Sequence, residues 1–295
     1  MTRPIAYVLA AAASFGAAGL AKPAAAELLI GLTASNELVR FESGAPSSFG
    51  PLIGITGLMG GETLIGIDYR PATGQLYGIG SSNAIYAVDD RTGAATFAGT
   101  LTAALNGTSF GIAFNPVPDR LRIASDAEQN LRVNVDNGVA LVDGALAYAA
   151  GDANAGANPN IVGSAYINQF AGAATTALFG IDSGLDILVS QVPPNSGTLN
   201  TIGGLGFDID DVVGFDISGV SGDAFASFVV NGQLGIYGVN LSSGLASLLG
   251  EIDQFALVGL AVAAPVSEPA TLALLAVGFA GAGFFARRRT ASTAS

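Results

Sequence analysis

The side chains able to do chemistry in this 295-residue sequence are chiefly carboxylates, because it contains no His and no Cys. Thiol nucleophiles, disulfides, Cys/His zinc sites, c-type haem attachment and every Ser-His-Asp or Cys-His arrangement are thereby excluded. Acid–base work would fall to Asp, Glu, Tyr or Arg. The densest acidic group is Asp208, Asp210 and Asp211, with Asp216 close behind. On an extended segment Asp208 and Asp210 would share a face, where paired carboxylates could hold a hard cation such as calcium. The Gly and terminal Glu of an EF-hand loop are missing, and an acidic turn between strands is the plainer reading. The run GDANAGANPN, from Gly151 to Asn160, offers carbonyls to a calcium shell but equally marks a loop of Asx-turns. Turns such as Asp89 to Gly93 and Asp136 to Gly138 hold residues that hairpins need in any case. Cleavage of glycosidic bonds, by a hydrolase or lyase, is the enzymatic reaction to carry forward, since hydrolysis needs only two carboxyl groups and water. With no Trp to serve as a sugar platform, the expectation is a non-catalytic protein without a cofactor.

Charge narrows the partners. The net charge is −12, and between Glu27 and Ala264 there are 22 acidic residues against six arginines: Arg40, Arg70, Arg91, Arg120, Arg122 and Arg132. Nothing basic lies between Val133 and Ala264, where twelve acidic residues fall. Nucleic acid is excluded as a partner, because binding it rests on Lys and Arg neutralising phosphate. The acidic excess reads as solubility, or as attraction for cations.

Both ends read as addresses. Residues 1–26 have a short basic start at Arg3, an apolar stretch from Ile5 to Leu20 and Ala24-Ala25-Ala26 before Glu27, the pattern of a signal peptide removed by signal peptidase. An uncleaved anchor is the alternative. Residues 265–295 contain Ser267-Glu268-Pro269, an apolar segment from Ala270 to Ala286 and then Arg287-Arg288-Arg289. This assembly resembles the PEP-CTERM sorting class of Gram-negative bacteria, with Ser267 where the usual motif has Pro. The resemblance implies transient membrane insertion, recognition by an exosortase, removal of the tail and release to the cell envelope or exterior. A permanent single-span anchor is the alternative.

Carboxylates can act together only if the elements between those addresses bring them together. Half of the residues are apolar and 41 are Gly, which suits a large core and many tight turns between short strands. Leu64 to Leu101 reads as four strands, near 65–69, 75–80, 84–89 and 94–99. Further copies run from Phe110 to Leu146, Val162 to Leu205 and Val213 to Ile252. Gly66, Gly111, Gly163, Gly214 and Gly259 mark the first strand of each copy, and Gly44, Gly93, Gly138, Gly197 and Gly244 the turn before the last. This period fits a four-stranded propeller blade. Glu27 to Gly57 supplies three strands and no first one, while Leu257 to Val262 is a first strand with nothing after it. Together they make a fifth blade. The expected fold is all-β, a five-bladed β-propeller or similar β-repeat ring over residues 27–264, closed by the C-terminal strand and flanked by the signal and sorting helices. A Gly-rich β-sandwich is the alternative. Residues 28–262, and most specifically SFGIAFNPVPDRLRIASDAEQNLRVNVDNG from Ser109, NIVGSAYINQ from Asn160 and LFGIDS from Leu178, resemble the domain-of-unknown-function family 4394. That resemblance supports the repeats and implies no chemistry. The functional expectation is an exported scaffold or ligand-binding protein whose partner is an extracellular polysaccharide or another surface protein.

Overall fold

The computed structural model describes residues 26–263. The expected signal peptide before residue 26 and the sorting residues Ser267, Glu268, Pro269, Arg287, Arg288 and Arg289 lie outside the described residues, as do the helices expected there.

Short apolar runs separated by Gly, Asn and Asp turns fold into five antiparallel sheets. Blade I holds β1 (Leu28–Thr33), β2 (Glu37–Glu42) and β3 (Ile53–Gly54). Blade II is β4 (Leu64–Arg70), β5 (Gln75–Gly80), β6 (Ala84–Val88) and β7 (Ala95–Thr100). Blade III is β8 (Phe110–Asn115), β9 (Arg120–Ser125), β10 (Asn130–Val133) and β11 (Ala140–Val142). A two-residue strand β12 (Ala147–Tyr148) then precedes blade IV, made of β13 (Ile161–Tyr166), β14 (Leu178–Asp182), β15 (Ile187–Gln191) and β16 (Thr198–Gly204). Blade V is β17 (Gly214–Ile217), β18 (Ala224–Val230), β19 (Gln233–Val239) and β20 (Ala246–Ile252). The final strand, β21 (Leu257–Val262), returns to blade I and pairs antiparallel with β1, Leu29 opposite Val262 and Gly31 opposite Leu260.

This is the expected five-bladed ring, closed by the last strand. The innermost strands β4, β8, β13, β17 and β21 each touch the next and complete the circle. Among the described residues six apolar clusters lie at the five seams between neighbouring blades, two of them between blades III and IV, so the core is distributed around the ring. Burying both faces of each blade is what removes most of the apolar side chains from water, which is the dominant favourable contribution to folding. At the axis the repeated first-strand glycines make room for the neighbouring strand. A Cβ on Gly111 would lie 2.6 Å from the carbonyl carbon of Gly163, and one on Gly214 would lie 2.6 Å from the main-chain nitrogen of Leu260.

Three details differ from the repeat as read in sequence. The outer strand of blade I is only two residues long, because Pro51 has no N–H to give a ladder and the chain beyond it crosses to blade II, where Thr56 pairs with Ala94. Blade IV gains β12, which runs parallel to β16 along its outer edge. Gly93, Gly138, Gly197 and Gly244 share a left-handed backbone, with φ of 72°, 73°, 69° and 82°. Gly44 does not.

Candidate functional site

The segment carrying Asp208, Asp210 and Asp211 is irregular, not an extended strand, and all three side chains are exposed while Ile209 between them is buried. Asp211 accepts hydrogen bonds from Asn160 Nδ2 (2.8 Å) and Ser183 Oγ (2.7 Å), which ties the approach to blade V to blade IV. Asp208 raises the pKa of Asp186, an effect secondary to that residue's burial. Among the described residues no three acidic side chains stand together as a metal-ligating group. In the polar loop, Asp152 accepts from the main-chain N–H and the hydroxyl of Thr201 (both 2.6 Å), so this stretch is pinned to β16.

The axis holds chemistry of which the sequence named only Asp216, as a neighbour of the acidic run, and not its counterpart Asp68. Two residues beyond the glycine of each innermost strand stand Asp68, Ala113, Ala165, Asp216 and Ala261. The two aspartates are 3% and 4% exposed. Asp68 accepts from the N–H of Tyr69 (2.7 Å) and, across the seam, from that of Phe114 (2.6 Å). Asp216 repeats the geometry with Ile217 (2.7 Å) and Val262 (2.7 Å). Each carboxylate therefore latches its blade to the next at the axis. Burial pushes Asp216 up to about 7, against the pull of its two N–H donors and with a further push from Glu27. Burial and the charge of Asp216 also hold Asp68 well above the ordinary carboxylate value. The shared register was visible in sequence; that register is the signal that would have found the pair.

Above the pair lies a cavity of about 220 Å³, walled by Asp68, Asp216, Gln169, Phe170, Val220 and Ala263 among others. Its mouth is shaped by residues 167–177, a connection longer than residues 71–74 or 116–119 at the same end of blades II and III. Gln169 Nε2 donates to the Phe114 carbonyl (2.9 Å), folding this connection inward over blade III. On the other side Gly219 of blade V fits closely under the main chain of Gln169. The amide oxygen of Gln169 is sealed from solvent and has no hydrogen-bond partner. Phe170, beside it, is 49% exposed.

Most arginines in the first half of the chain are occupied as clamps. Arg40 reaches Asp90 (2.5 Å), across the seam between blades I and II. Arg70 of blade II holds Asp119 (2.5 Å) and Asp136 (2.6 Å) of blade III. Arg122, 1% exposed, bonds Asp143 and Asn130 (both 2.7 Å) and crosses to Asn195 of blade IV (2.9 Å). Arg132 shares Asp143 (2.6 Å), and the two guanidinium groups hold that carboxyl below its ordinary value although burial works upward. The stretch from Ser109 to Gly138 is thus largely seam chemistry. Two more buried carboxylates, Glu62 and Asp182, receive the hydroxyls of Tyr86 and Tyr148.

A family model described as a domain of unknown function, DUF4394, matches residues 37–261, and a model of the PEP-CTERM protein-sorting motif matches residues 265–289. No curated protein is significantly similar to the chain. Among solved structures, a structural-genomics protein of unknown function from Bacteroides thetaiotaomicron is 15% identical with a TM-score of 0.44, over 77% of this chain and 58% of that one. A chain of a nidogen/laminin complex is 13% identical with a TM-score of 0.43, over 81% of this chain and 98% of that one. Hydrazine synthase of Kuenenia stuttgartiensis is 14% identical with a TM-score of 0.38, over 67% and 53%. The chain spans little more than half of the first of these, and none of the three bears on function.

Proposed function

The chain belongs to the DUF4394 family and carries a PEP-CTERM sorting motif that marks it for export to the cell envelope and for processing by an exosortase-type enzyme, and from that premise we propose that it is a non-catalytic binding module of the envelope or extracellular matrix. Signal peptidase would remove the leader and the exosortase would release the propeller. The observation that carries the non-catalytic reading is the engagement of the axial pair. All four carboxylate oxygens of Asp68 and Asp216 already accept a main-chain N–H, so the pair supports the ring, and the cavity above it is left to bind.

One observation favours a glycoside hydrolase or lyase instead. A buried carboxyl pushed up to about 7 beside a second one is the kind of group that general acid–base catalysis uses. The two readings separate in one assay, in which protein recovered from its native host is incubated with host extracellular polysaccharide and new reducing ends are measured. The binding reading expects none above the background of Asp216→Asn. Release that depends on Asp216 would replace it with the enzymatic one. Mass spectrometry of the same material should show Arg287 to Arg289 missing; their retention would mean a permanent anchor.

A further inference from the structure

We propose that the axial cavity takes a small organic ammonium ion, its positive head above Asp68 and Asp216 and its apolar body against Phe170 and Val220. This deepens the binding reading and rests on it.

The argument is one of unmatched chemistry. The floor is two carboxyl groups. The one cationic side chain among the described residues of the wall, Arg70, is turned to Asp119 and Asp136, whose charges exceed its own. The other ionisable groups around the pair are Glu27, which is acidic, and Tyr69, whose hydroxyl is given to Asp90 (2.6 Å). Among the described residues the site therefore has negative charge in excess, and a ligand must bring positive charge. Most of the remaining wall is apolar: Pro71, Phe170, Ala171, Val220, Val262 and Ala263. An ammonium carried on a hydrocarbon body meets both conditions, and an exposed aromatic ring at the rim adds attraction for the cation. A bare metal ion meets only the first, since a calcium ion wants six to eight oxygens and the two carboxyl groups have four. The volume of about 220 Å³ suits a small molecule and not an oligosaccharide, because ligand sites for larger molecules run from about 300 Å³ upward.

The test is isothermal titration of the protein purified from its native host with n-butylammonium chloride at about pH 8, with n-butanol, sodium chloride and calcium chloride as comparators. Butylammonium should bind, and the isosteric alcohol should bind at least about tenfold more weakly. Affinity should fall by up to about tenfold per pH unit below about 7, as Asp216 takes up its proton. Phe170→Ala should weaken binding about two- to fivefold without moving the melting temperature, since that ring is half exposed. Equal binding of alcohol and ammonium, displacement by calcium at equal concentration, indifference to Phe170→Ala, or no binding of butylammonium would each overturn the proposal. None of these outcomes alters the reducing-end assay, on which the non-catalytic reading stands or falls separately.

Discussion

Raising the pH from about 5 to 8 should destabilise this protein, and replacing Asp216 by Asn should remove that residue's share of the dependence and lessen the slope. In the unfolded chain the carboxyl ionises near its ordinary value of 3.8, whereas in the folded ring burial pushes it up to about 7. Between those limits the native state binds a proton that the unfolded state has released, so stability falls as pH rises. The contribution is complete below 3.8 and is lost as pH climbs through about 7. At about 1.4 kcal/mol per pH unit the whole interval is worth about 4 kcal/mol, of which about 3 kcal/mol falls between pH 5 and 8. For a domain of this size that is a melting-temperature difference of about 6–12 °C. Asp68, also raised, acts in the same direction. Carboxyls held low, such as Asp136 by Arg70 and Asp143 by Arg132 and Arg122, stabilise above their ordinary value and lose that contribution only as pH falls below it, outside the window. With no His and no Cys in the chain, little else titrates there apart from the terminal amine. The assay is thermal unfolding at constant ionic strength across the window, for the parent and Asp216→Asn. The amide can keep one of the two N–H bonds, so the variant should lose about 1–3 kcal/mol at pH 5 and approach the parent at pH 8. A melting temperature that is level or rises from pH 5 to 8, or a parental slope retained in the variant, would refute the reasoning.

The seams make further predictions. Arg122→Met should cost about 3–5 kcal/mol in denaturant unfolding, because it strips a fully buried clamp from Asp143, Asn130 and Asn195; Arg40→Met, whose ion pair with Asp90 is about a quarter exposed on each side, should cost no more than about 1 kcal/mol. Gly214→Ala should cost at least about 1–3 kcal/mol, since its methyl would press on the main chain of β21, while Gly54→Ala, which meets nothing within 4 Å, should stay within about 0.5 kcal/mol of the parent. A chain ending at Gln254 loses β21, leaves β1 unpaired on one side and deprives Asp216 of the Val262 N–H. It should melt lower or aggregate, and equal melting of chains ending at Gln254 and Ala264 would contradict closure by the last strand.

The sequence by itself determined the ring. Strand periodicity, the two series of glycines and the orphan segment from Leu257 to Val262 are local signals with a fixed spacing, and β21 beside β1 follows from them because an incomplete blade at one end can be filled only by the surplus strand at the other. The sorting motif at the C-terminal end was likewise written in composition and order. The candidate site was legible only in part. Asp208, Asp210 and Asp211 drew attention because they are neighbours in sequence, yet they lie exposed along an irregular segment. Asp68 and Asp216 are 148 residues apart and meet at one cavity. Their common offset from Gly66 and Gly214 was readable, but what it meant depended on where the innermost strands end and on which N–H groups converge there. The same holds for Arg70 and Arg122, whose acceptors on the next blade lie 49 and 73 residues away. Spacing along the chain sets strands and turns because those depend on nearest neighbours. Burial, the raised carboxyl at Asp216 and the unbalanced negative charge at the axis arise from groups that only ring closure brings together, and only the tertiary structure could decide them.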